Sequence, residues 1–233
     1  MQTDSSLYRS CVYPLAIFMA FSILLGVGGE WIEWKHPEAA WWQQAPEMLV
    51  YPLQTLVCGW WLWHVRREIE WDWNARACGW GVLFSIVGIG LWLVPYFAGW
   101  IPNTGGFEPE RIFGSGTAAT YAEYSMRFAR AVIVVPLAEE LFWRGFLMRW
   151  CVNRDFPQSV AAGTPSRLGY VVTTAAFMFI HNPVDYAGAF CYGSLAYLLV
   201  VKTKRITPAI IMHAVANAIM GTCAVSFDMP QLW

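Results

Sequence analysis

Apolar positions in this chain run together instead of alternating. The first run, 11–29, follows Arg9 and precedes Glu30 and Glu33. It is long enough to cross a hydrocarbon layer about 30 Å thick at about 1.5 Å per residue. A second run covers 46–65 and a third 77–101, broken late by Pro95, where neighbouring helices can satisfy the freed carbonyl. After a Gly- and Pro-rich loop at 103–116 comes 117–150, with few breakers apart from Pro136, then apolar runs at 168–180, 186–201 and 206–225. The pattern predicts an all-α polytopic transmembrane helical bundle of about seven spans, with six to eight as the range. A cleaved signal peptide is the competing reading of the first run; the sequence Gly-Val-Gly-Gly-Glu at its end does not resemble a cleavage site.

Composition agrees with the runs. Of 233 residues 57% are hydrophobic and 13% charged, about half the ~25% charge of ordinary soluble domains. Together with a mean hydropathy of +0.40 and 15 Trp, 14 Phe and 10 Tyr, this excludes a water-soluble globule, because a chain this size cannot hide so much apolar surface. A net charge of -1 offers no basic stripe to neutralise phosphates, which excludes a nucleic-acid partner. Cys11, Cys58, Cys78, Cys151, Cys191 and Cys223 are scattered without a CxxC pair and read as small buried hydrophobes. Trp60, Trp61, Trp63, Trp71, Trp73, Trp80, Trp92 and Trp100 cluster near span ends, as an interfacial belt would.

Threading the spans alternately places Arg9, Arg66, Arg67, Arg76, Arg149, Arg154, Arg167, Lys202, Lys204 and Arg205 on the amino-terminal side, with Lys35 and Arg111 opposite. The positive-inside rule puts the N-terminus in the cytoplasm. Arg127, Arg130 and Arg144 lie within the fourth span. Charges at that depth cost at least ~2.5 kcal/mol each on insertion scales, so each needs a partner, a wet cavity or a task.

Glu139 and Glu140 stand side by side on the fourth span. Glu140 and Arg144 are spaced i, i+4 and share a face, whereas Glu139 is turned away by about 100° and left without that partner. One carboxylate reads as structural; the other is free to exchange a proton with water, as a general base must. His181 ends the fifth span, and His213 and Asn217 lie one turn apart on the seventh. Rise along the helix puts Glu139 about 15 Å from Arg149 and His213 about 12 Å from Arg205, both near mid-membrane. His181, about 20 Å from Arg167, falls further out unless its span tilts or starts late. Taken singly, each of these residues has a packing role open to it, as interhelical glue or a register pair; two His, one Asn and a spare Glu on three spans together point to a site.

In order and spacing these residues resemble the signature of the CAAX-protease and bacteriocin-processing (CPBP) family of intramembrane endopeptidases. That signature is EExxxR, FxxxH and HxxxN, matched by Glu139-Glu140 with Arg144, Phe177 with His181, and His213 with Asn217. The resemblance implies a glutamic-type intramembrane protease. Glu139 with His181 would activate a water, His213 and Asn217 would form the oxyanion hole, and Glu140, Arg144 and Phe177 would support them from behind. It implies one transmembrane domain over 1–233 with a protease-like core at about 118–225. The substrate would be a membrane-associated protein or peptide, in a bacterial inner membrane. The Trp-rich wording around Glu139 is similar to a subgroup linked to exosortase-type protein sorting. No cofactor is expected: two His and a Glu can in principle hold Zn²⁺, but no HExxH motif occurs. The alternatives are a catalytically silent scaffold or immunity factor of the same fold, a Zn-dependent protease, and a small proton-coupled carrier.

Overall fold

A computed structural model describes residues 4–34, 36 and 38–233; Lys35, one of the two outer topology markers, lies outside the described residues. Helices account for every regular element among the described residues, in the order expected. They are α1 (Ser5–Ile32), α2 (Glu47–Val65), α3 (Ala75–Phe97), α4 (118–150), α5 (Arg167–Phe179), α6 (Tyr186–Thr203, entered through a short 3₁₀ turn, Pro183–Asp185) and α7 (Thr207–Ser226). Four helical stretches, 5–32, 75–97, 183–203 and 207–226, are by length and composition long and apolar enough to cross a membrane. The chain is thus a helical membrane bundle.

Local chemistry sets the helix starts. Asn74, Thr117 and Ser166 each cap a helix by accepting from the backbone N–H three residues on. The α6–α7 turn closes on Lys204 in the left-handed region, and its ammonium donates to Gly163 O at 2.8 Å. Burial is inverted relative to a soluble protein. Leu24 is 68% exposed while Gln54 and Thr173 are fully buried and hydrogen-bonded, because apolar side chains facing lipid lose nothing and polar ones must find partners inside.

Helix α3, flanked by α6 and α7, is the centre of one half of the bundle. Gly81 lets it meet the start of α7 so closely that a Cβ there would stand 2.5 Å from Pro208 O. Gly188 on α6 accepts the Trp92 indole in the same way, at 2.7 Å.

The two ends of the bundle are finished differently. At one end the α2–α3 loop offers Glu68, Glu70 and Asp72, which pair with Arg9 from α1, Arg149 from α4 and Arg205 at the start of α7. One short acidic strap ties three helix ends. At the other end a cavity of about 370 Å³ opens between α3, α4, α5 and α7.

Helix α4 is not uniform. Arg130–Val134 and Leu141–Leu147 are wound as π-helix on either side of an α-turn, Val135–Glu140. Pro136 explains the first: it has no N–H to close the ladder, and in π register the carbonyl left without a donor is that of Ala131. That carbonyl accepts from Asn217 Nδ2 on α7 at 2.8 Å. Such wide turns are frequent at functional sites, and here they bracket Glu139 and Glu140.

The cysteines are all free; Cys11, Cys58 and Cys151 are buried as expected, whereas Cys191 is exposed.

Candidate active site

Glu139 and Glu140 leave one turn of α4 in different directions. Glu140 is fully buried and receives Arg144 through Nε at 3.2 Å and Nη1 at 3.3 Å. Arg144 also donates to Gly193 O at 3.3 Å and lies 5.2 Å over the Phe177 ring. This is the i, i+4 pair that the spacing predicts, with one addition. His213 Nδ1 lies 2.9 Å from Glu140 Oε1. His213 is therefore tethered to Glu140 across two helices, a contact that spacing along one helix cannot reveal.

Glu139 has only Trp143 Nε1, at 3.3 Å, as a hydrogen-bond donor among the described residues. It lines the 370 Å³ cavity together with His181, His213 and Asn217. Glu140 and Arg144 lie behind this wall, and Phe177, 1% exposed, separates the two layers.

His181 sits two residues past the end of α5. Its Nδ1 is 2.7 Å from Phe177 O, and its ring is held between Phe177 at 4.7 Å and the edge of Trp92 at 5.2 Å. A carbonyl only accepts, so Nδ1 carries the proton and the neutral ring keeps its lone pair at Nε2. Helix α5 begins at Arg167, so it has no late start. It is only 13 residues long, about 20 Å by its rise, and the short 3₁₀ turn Pro183–Asp185 leads from it into α6. His181 lies in the link between α5 and that turn, on the wall of the same cavity as Glu139.

Trp92 corrects the reading of the aromatic belt. Trp60, Trp63, Trp73 and Trp100 are strongly exposed, but Trp92 is 7% exposed and its Nε1 donates to Asp185 Oδ1 at 2.8 Å. Tyr96 OH donates to the same oxygen at 2.8 Å. Asp185 thus fastens the turn that carries His181 onto α3. Its position after Asn-Pro-Val in a loop gave no helical spacing by which to pair it, so sequence reasoning missed it.

A metal would need at least three ligands. Among the described residues no three His, Cys, Asp or Glu side chains are grouped so as to hold one ion.

A helical membrane bundle with ionisable groups gathered around one interior cavity defines the class: an integral membrane protein with a polar cavity among its helices. Residues 121–219, less than half of the chain, match the family model described as type II CAAX prenyl endopeptidase Rce1-like, in agreement with the resemblance carried by the three motifs. No curated protein matches the chain, and no solved structure does.

Proposed function

We propose that the protein is an intramembrane endopeptidase of glutamic type, hydrolysing a peptide bond of a membrane-associated protein or peptide. The observation that carries this reading is the shared cavity, whose wall includes Glu139, His181, His213 and Asn217. Glu139 takes a proton from a water held between it and His181 Nε2, and the water oxygen bonds to the scissile carbonyl carbon. His213, as imidazolium, donates from Nε2 to the oxyanion while Nδ1 stays on Glu140; Asn217 donates its second amide N–H, the first being committed to Ala131 O. Glu139 then returns the proton to the amide nitrogen as the carbon–nitrogen bond breaks. Two groups hold the donors in place: Glu140, balanced by Arg144, and Phe177.

The inner-side bias of Arg and Lys supports a cytoplasmic N-terminus in a bacterial inner membrane, and the Trp-rich sequence around Glu139 supports a place beside an exosortase-type sorting system. Purified full-length protein and its Glu139→Gln form, compared on a membrane-anchored peptide, test the mechanism. Cleavage confined to the wild type is expected; equal rates would remove Glu139 from the reaction. Loss of activity with a chelator and return with stoichiometric Zn²⁺ would overturn the glutamic type.

A further inference from the structure

Of the four groups proposed to meet the substrate, His181 alone stands outside a helix. Glu139 lies within α4, and His213 and Asn217 lie within α7, whereas α5 ends at Phe179 and only the His181 N–H, donating to Met178 O at 3.1 Å, continues its pattern. The imidazole therefore depends on its neighbours for its orientation. Its Nδ1 bond to Phe177 O fixes the tautomer and one end of the ring; the edge of Trp92, at 5.2 Å, limits how far the rest can swing.

Trp92 is in turn held by the entry to α6. Asp185 Oδ1 receives the indole N–H at 2.8 Å and the Tyr96 hydroxyl at 2.8 Å, two donors one turn apart on α3. Three residues further on, Gly188 leaves bare backbone against the same side chain: a Cβ there would stand 2.7 Å from Trp92 Cγ and 3.2 Å from its Cα. Tyr192 closes the ring in from one turn deeper, at 6.1 Å. A single carboxylate oxygen and a missing Cβ thus make a socket that admits the indole in one pose. An indole N–H buried without an acceptor is costly, so removing Asp185 drives the ring to turn, and the His181 imidazole loses its stop.

We propose that Asp185 is a positioning residue for the reaction: by seating Trp92 in this socket it keeps the His181 ring oriented with Nε2 toward the water beside Glu139. This rests on the endopeptidase reading and adds to it a residue that lies in none of the three motifs. Asp185 acts as an acceptor and not through its charge, because both of its donors are neutral and converge on one oxygen. An amide oxygen at the same place can accept both bonds.

The test uses the full-length protein in detergent, a membrane-anchored peptide as substrate, and isotope-labelled histidine to follow the His181 ring signals, assigned by their loss in His181→Gln. Asp185→Ala should lower kcat about 10–100-fold, the penalty for a displaced reacting group, with KM little changed. Its His181 ring signals, which in the wild type feel the ring current of Trp92, should shift and broaden. Asp185→Asn should restore both the rate and the signals. Trp92→Phe removes the N–H while leaving Asp185 bonded to Tyr96; it should reproduce the loss of kcat and the spectral change, and it stands in for Asp185→Ala if that variant does not fold.

His181 signals left in place by these substitutions would overturn the proposal whatever the rates, since a bond that only ties α6 to α3 lowers the unfolding midpoint without moving the imidazole. Asp185→Asn as slow as Asp185→Ala would make charge the acting feature and overturn it too. So would a rise in KM with kcat unaltered, which assigns Asp185 to substrate binding. Displaced His181 signals in Asp185→Ala, with no hydrolysis by the wild type, would keep the socket and sink the protease.

Discussion

The same residue type meets opposite fates at the two ends of the bundle. At the strap, Arg9, Arg149 and Arg205 each face a carboxylate of one short loop. In the cavity wall, Arg127 and Arg130 face aromatic rings and an amide, with no carboxylate in ion-pair reach among the described residues. Matched charges close one end as structure. Charges without a carboxylate partner line the cavity at the other. Glu139 and Glu140 repeat the contrast within a single turn, one idle at the cavity and one doubly engaged behind it.

Substitutions can break this contrast at several strengths. Glu139→Gln should lower peptide hydrolysis about 10²–10⁴-fold, the range for a positioned acid–base group, while the unfolding midpoint in detergent stays where it is. Arg144→Met should leave Glu140 buried with His213 as its remaining partner and cost about 3–5 kcal/mol, read as a fall in thermal stability; an unaffected midpoint would mean that the pair does not hold α4. Asp72→Asn at the strap should cost no more than about 1 kcal/mol, because that pair is half exposed, and high salt should mask it. Smallest of all, Arg127→Met should stay within about 1 kcal/mol of the wild type or gain stability, since no ion pair is broken and the lost ring contacts are modest. A loss as large as that of Arg144→Met would make Arg127 structural and erase the difference between the two ends.

Much of the fold was legible because helices in a membrane must be continuous and apolar. The runs at 46–65 and 206–225 became helices at Glu47–Val65 and Thr207–Ser226. Charge was legible where partners share a helix, as Glu140 and Arg144 do. It was not legible where they meet across helices. The His213–Glu140 bond spans 73 residues, and Trp92 reaches Asp185 over 93; no periodicity encodes either. Trp92 also shows that composition near a span end does not say which way a ring points. His181 was hard to place for another reason: α5 ends at Phe179, so His181 lies in the turn beyond it, where helical rise no longer fixes position.

The Asn217 amide on Ala131 O carries a consequence for how the protein is made. Its two ends are 86 residues apart, so a ribosome adding about 5–20 residues per second needs several seconds between them. Through that interval α4 stands in the membrane with a bare carbonyl at its widened turn and with Glu140 lacking His213. Only the last helix supplies both donors. A nascent chain therefore has its carboxylates in place before their partners from α7 exist, and the wall of the cavity is complete only when synthesis has passed α7.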